Sequence, residues 1–125
     1  MKSLLAAVAL AAAALAPAAY ADCTYPQAPS HLPDGNTATL AEMLAAQKVV
    51  QAYNEQMTAY LSCIKLERDS RVAAAGQTLT KQQKQELEAI EIQKNNAAVD
   101  QLHSVADQFN AQVKIFKGRD KKSDN

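Results

Sequence analysis

The sequence predicts an all-α protein, a long antiparallel two-helix hairpin with an extended N-terminal arm pinned to the first helix by a disulfide. Three observations predict it. All four prolines precede residue 34 and the three glycines stand at 35, 76 and 118, so the stretches 36–75 and 77–117 hold no strong helix breaker. Both stretches repeat apolar residues at alternating three- and four-residue steps. The only two cysteines, Cys23 and Cys63, fall one before the first stretch and one inside it.

Residues 1–21 read as a cleavable secretory signal. Lys2 supplies the positive start, Leu4 to Leu15 the apolar run, and Ala19-Tyr20-Ala21 a small-x-small cleavage site. The apolar run is about a dozen residues against the roughly 20 that a membrane span needs, so a retained anchor is the weaker reading. A lipidated Cys23 is weaker too, because Asp22 is not the small residue expected before it. Export to the periplasm is the expected outcome, with no membrane insertion after cleavage. An oxidising compartment favours a disulfide for an even number of cysteines, and two allow only Cys23–Cys63 within one chain. An intermolecular bridge ranks below it. A redox or metal pair ranks lower still, since the spacing is not C-x-x-C and no His or third Cys completes a ligand set.

The arm, 22–36, carries Pro26, Pro29 and Pro33, which favour extended polyproline geometry. Cys63 lies some 37 Å along the first helix and the arm reaches roughly 46 Å, so the bridge closes only if the arm runs back nearly straight. It is expected to cover a second apolar stripe on the side of Val49, including Leu61 and Leu40, with Tyr25 and Leu32 as its contacts.

The hairpin occupies 37–117, with helices at 37–75 and 80–117. Both are rich in Ala, Leu, Gln, Glu, Lys and Met, the residues that lose least entropy in a helix. Thr37 or Thr39 can cap the first, Glu42 completing a capping box with Thr39, and Thr80 with Gln83 repeats the device on the second. Gly76 and Gly118 suit left-handed C-caps. Each rod would be about 55 Å long. The buried seam reads Met43, Ala46, Val50, Tyr53, Met57, Tyr60 and Ile64 on the first helix. On the second it reads Val99, Leu102, Ala106, Phe109, Val113 and Phe116, with Leu87, Ile90 and Ile92 nearer the start. A short turn makes the helices antiparallel and sets Met57 against Val99, Val50 against Ala106, and Ala46 near Phe109. Towards the turn the seam becomes polar, with Glu67 and Arg71 facing Gln85 and Glu88, and Tyr60 beside Asn95 or Asn96. Residues 118–125 read as a disordered, solubilising tail in preference to one that touches an anionic surface.

Composition then narrows the function. Thirteen cations against thirteen acids and 5% aromatic residues argue against a nucleic-acid module. The two histidines stand apart, His31 in the arm and His103 beside the seam near Tyr53, and no second His or thiolate is positioned with His103. Glu88 and Glu91 alternate with Lys84 and Lys94 as an ordinary solvated face. No Gly-rich phosphate loop or G-x-S-x-G elbow occurs. Neither catalysis nor a cofactor nor a bound metal is expected.

Leu79-Thr80-Lys81-Gln82-Gln83 fits the L-T-x-x-Q pattern and resembles the small ATP-independent periplasmic stress chaperones, all-helical cradles that hold unfolding clients. That family generally carries the motif twice on a more branched set of helices, whereas this chain shows it once between two uninterrupted rods. The stretch Cys23 to Glu67, with Tyr60-Leu61-Ser62-Cys63-Ile64, resembles small secreted proteobacterial proteins of unknown function, a resemblance that implies no activity.

Leu44, Leu66, Val72, Val105 and Ile115 lie off the seam, more apolar surface than two rods can bury. The expected outcome is a non-enzymatic secreted or periplasmic structural or protein-interaction module that self-associates through helix faces, most simply as a two-fold dimer. The alternative is a holdase-type chaperone or envelope-stress factor. A small-molecule carrier lacks convergent polar ligands.

Overall fold

The computed structural model describes residues 22–123. The secretory signal read at 1–21 lies outside them, as do Asp124 and Asn125. Helix α1 spans Leu40–Ala75 and helix α2 Lys81–Ser123, joined by a 3-10 turn at Gly76–Thr78. At 1.5 Å per residue the rods are about 54 and 64 Å long. They pack antiparallel, and the Cys23–Cys63 disulfide ties the arm to α1 with Cα atoms 5.7 Å apart.

Both helix starts are fixed by side chains three residues apart. The Thr39 hydroxyl accepts from the Glu42 amide at 3.2 Å, and the Glu42 carboxylate accepts from the Thr39 amide at 2.7 Å. Thr80 and Gln83 make the same reciprocal pair at 3.1 and 2.8 Å. Each satisfies amides that a helix start would otherwise leave bare. Thr37 instead belongs to the turn before α1, its amide donating to the Asp34 carbonyl. Gly76 closes α1 at φ 55°, the only positive φ among the described residues.

The second helix does not stop at Gly118. It continues to Ser123, so Gly118 is helical in place of the expected C-cap, and residues 118–123 extend α2. Arg119 supplies the reason. Its guanidinium donates to the carbonyls of Asn36 and Ala38 at 2.9 and 2.7 Å and lies over the Phe116 ring at 4.9 Å, tying the extension to the start of α1. Lys121 and Lys122 sit in the last turn, where cations suit the helix dipole.

On α1 the seam buries Met43, Ala46, Tyr53, Met57, Tyr60 and Ile64, with Val50 half-buried. On α2 the pattern is rotated. Val99, Leu102, Ala106, Phe109 and Val113 are only half-buried, while Ala98 and Val105 are buried with Phe116. A hairpin of two helices alone would centre burial on the predicted positions; the arm, laid along one flank of the inter-helix groove, moves the centre towards itself. Cys23 and Ala28 pack on the cluster containing Tyr53, Met57, Tyr60, Ala98 and Val105. Tyr25 meets Tyr60 edge-on with ring centroids 5.0 Å apart, the place expected for Asn95 or Asn96. The arm then crosses to α2, where the Gly35 amide donates to the Gln112 side chain at 2.8 Å. It therefore lies along one flank of the groove between the helices and leaves Leu40 and Val49 exposed, although the sequence predicts both under it.

Candidate functional site

The arm fills one flank of the groove between α1 and α2, and the opposite flank is open. Gly35 lies against Gln112, Ile115 and Phe116. About 100° round the helix from Gln112 stands Val113, with Asn110 and Lys117 farther along the same side. With Leu40, Leu44 and Gln47 of α1 these residues line a groove of about 330 Å³ at the end of the hairpin away from the turn. Met43 and Phe116 are its buried floor, Phe109 and Val113 its half-buried walls. Leu40 and Leu44, one turn apart on the rim, are 61% and 50% exposed. For leucines at a helix start this is a substantial apolar surface left in water.

The end of α2 beside the groove is predominantly basic. Residues 114–122 hold Lys114, Lys117, Arg119, Lys121 and Lys122 with Asp120 as the single acid. Arg119 is engaged with the Asn36 and Ala38 carbonyls, while Lys114, Lys117 and Lys121 follow a three-four spacing that places them on one exposed face beside the groove.

Nearer the turn the same flank is polar. Arg68, Glu88, Glu91, Ile92, Asn95 and Asn96 surround a second hollow. Arg68 of α1 approaches Glu91 of α2 at 2.8 Å, both half-buried, an ion pair between the helices. The sequence had placed Glu67 and Arg71 across from Gln85 and Glu88; Arg71 instead pairs with Glu67 on its own helix. Lys65 holds the Asp69 carboxyl below its ordinary range through a 2.8 Å hydrogen bond.

Of the off-seam apolar residues, Val105 is buried in the cluster on which the arm packs, Val72 is half-buried, and Leu44, Leu66 and Ile115 are exposed with Ile90 and Ile92. His31 and His103 are both exposed. Among the described residues no three His, Cys, Asp or Glu side chains gather where they could hold a metal ion, and no helix is long and apolar enough to cross a membrane. Burial pushes the Tyr53 and Tyr60 hydroxyls up from their ordinary values, with Tyr25 adding to both. The Tyr53 hydroxyl is buried without a hydrogen-bond partner among the described residues.

Leu44 is surplus to the seam in the sequence, but nothing local joins it to Val113 and Lys117. The available signal was the pair of one-turn steps, Leu40 to Leu44 and Val113 to Lys117, which the antiparallel register brings to opposite walls of one groove. No protein-family model, curated protein or solved structure matches this chain.

Proposed function

We propose that this chain is a non-enzymatic protein-interaction module of the periplasm, exported by residues 1–21, that presents its open flank to other polypeptides. The observation that carries the reading is the apolar groove of Leu40, Leu44, Phe109 and Val113, uncovered on the flank opposite the arm. The disulfide fits an extracellular or periplasmic site of action and holds the arm where it cannot cover this groove. The two rods and their short turn form a stiff support, so the surface is presented without an ordering cost on binding. Self-association through helix faces belongs to the same reading.

The test is a photoreactive side chain placed at position 40 or 44 in cells, with position 73 as the control. Adducts of defined mass from 40 and 44 but not from 73 are expected; equal labelling everywhere, or none, removes the reading. Leu66, Ile90 and Ile92, exposed at separate places, favour a second reading as a holdase that touches unfolded chains at several points. Suppression of client aggregation at sub-equimolar ratios, unaffected by Leu44→Asp, would select it.

A further inference from the structure

The groove between two antiparallel helices has two flanks, and here a segment of the chain itself occupies one of them. The other has the shape that receives a helix. Its floor is set back behind side chains one turn apart on each wall, the ridge-and-groove relief into which a third helix packs. Its charge is also selective. In a chain with equal numbers of cations and acids, Lys117 lines the α2 wall of this groove, and Lys114 and Lys121 share its exposed helix face at three- and four-residue steps. We infer that the groove docks an acidic amphipathic helix of a partner protein. Bulky apolar side chains at i, i+3 or i+4, and i+7 enter between Leu44 and Val113, and flanking Asp or Glu residues lie along the three lysines.

Two other occupants fit less well. A flat membrane surface meets the lysines but does not reach the recessed Met43 and Phe116. A second copy docked on this patch repeats it across a two-fold axis and brings the same lysines towards one another, where like charges cost free energy. Arg119 adds to the acidic-helix case by fixing the end of α2 on the start of α1, so both walls are held before a ligand arrives.

The inference rests on the interaction-module reading and names its partner. It is tested on the disulfide-intact chain with two short synthetic helices that share the same leucine spacing, one carrying Glu on its flanks and the other Lys. Fluorescence anisotropy is expected to show the Glu peptide bound about tenfold or more tightly than the Lys peptide, with the difference shrinking at high salt. Leu44→Asp should weaken the Glu peptide about tenfold. Lys117→Glu should weaken it severalfold and flatten the salt dependence. Both positions are exposed, and circular dichroism with an intact disulfide verifies that the variants fold. Equal binding of the two peptides, or indifference to Leu44→Asp, overturns the inference. So does binding to phosphatidylglycerol vesicles in place of either peptide, or a concentration-dependent dimer that Leu44→Asp abolishes. Position-specific adducts at 40 and 44 without Glu-peptide binding would remove only this partner; absence of both would remove the module reading as well.

Discussion

Gly35→Ala is expected to destabilise the protein although glycine-to-alanine changes in permissive positions usually stabilise. Gly35 is buried where the arm meets α2, and a Cβ there would lie 2.3 Å from the Gln112 carbonyl oxygen and 2.9 Å from both the Phe116 amide nitrogen and the Ile115 Cβ. Two of these three atoms are backbone of a continuous helix and cannot turn aside, so the arm must lift. Overpacking of this kind costs about 1–3 kcal/mol. Lifting the arm also breaks the 2.8 Å hydrogen bond from the Gly35 amide to Gln112, worth about 1 kcal/mol. Against this stands about 0.4–1 kcal/mol gained because alanine restricts the unfolded chain. The net loss is about 2 kcal/mol, or roughly 10 °C in Tm for a domain of this size. Gly118→Ala is the internal control. Gly118 is helical with nothing near its Cβ position, so the change should raise stability by about 0.5–1 kcal/mol. Thermal unfolding by circular dichroism reads both signs, and hydrogen exchange at the Gly35 amide shows whether the loss begins at the arm. If Gly35→Ala leaves Tm unchanged or raises it, the arm does not dock on α2 as described.

Removing the disulfide with the pair Cys23→Ser and Cys63→Ser should cost up to about 4 kcal/mol on the chain-entropy account, since the bridge closes a loop between residues 40 apart; an unchanged urea midpoint would show that the arm is held mainly by its apolar contacts. Tyr53→Phe removes a buried hydroxyl with no partner among the described residues, and is expected to leave the urea midpoint unchanged or raise it, whereas a fall would reveal a hydrogen bond. The Glu42 carboxyl is held below its ordinary range by the Thr39 amide, and that of Asp34 by the Asn36 amide. Because the folded values are the lower ones, their stabilising effect is present above the ordinary carboxylate range and is lost as pH falls through the folded values. Glu42→Ala should therefore flatten the acid side of the stability–pH curve, and an unaltered slope would dissociate that carboxylate from acid sensitivity.

Local chemistry was readable along the chain. The capping boxes at Thr39 and Thr80 depend on side chains three residues apart, and the α1 seam on a spacing within one helix. Both are set by backbone geometry that neighbours in sequence share. The disulfide was readable for a different reason: two cysteines allow one pairing, and the arm had the reach to close it. Of the candidate interaction surface, only its ingredients could be seen. Leu44 stood out as surplus, and the basic run after Phe116 was visible as composition, but the run read as a tail because no local signal connects Arg119 to the carbonyls of Asn36 and Ala38.

The all-α hairpin, the starts of its helices, the apolar face of α1 and the pairing of the cysteines are all legible along the chain. Each follows from contacts between near neighbours or from a pairing without alternatives. The flank on which the arm lies is set by long-range packing, and with it the burial of Ala98 and Val105 and the open groove bordered by Leu40 and Leu44. A two-helix groove has two flanks with similar patterns along either strand of sequence. The choice between them is made by contacts among distant segments, Gly35 seated on α2 and Tyr25 on Tyr60, whose energies become visible only when all three segments are in place.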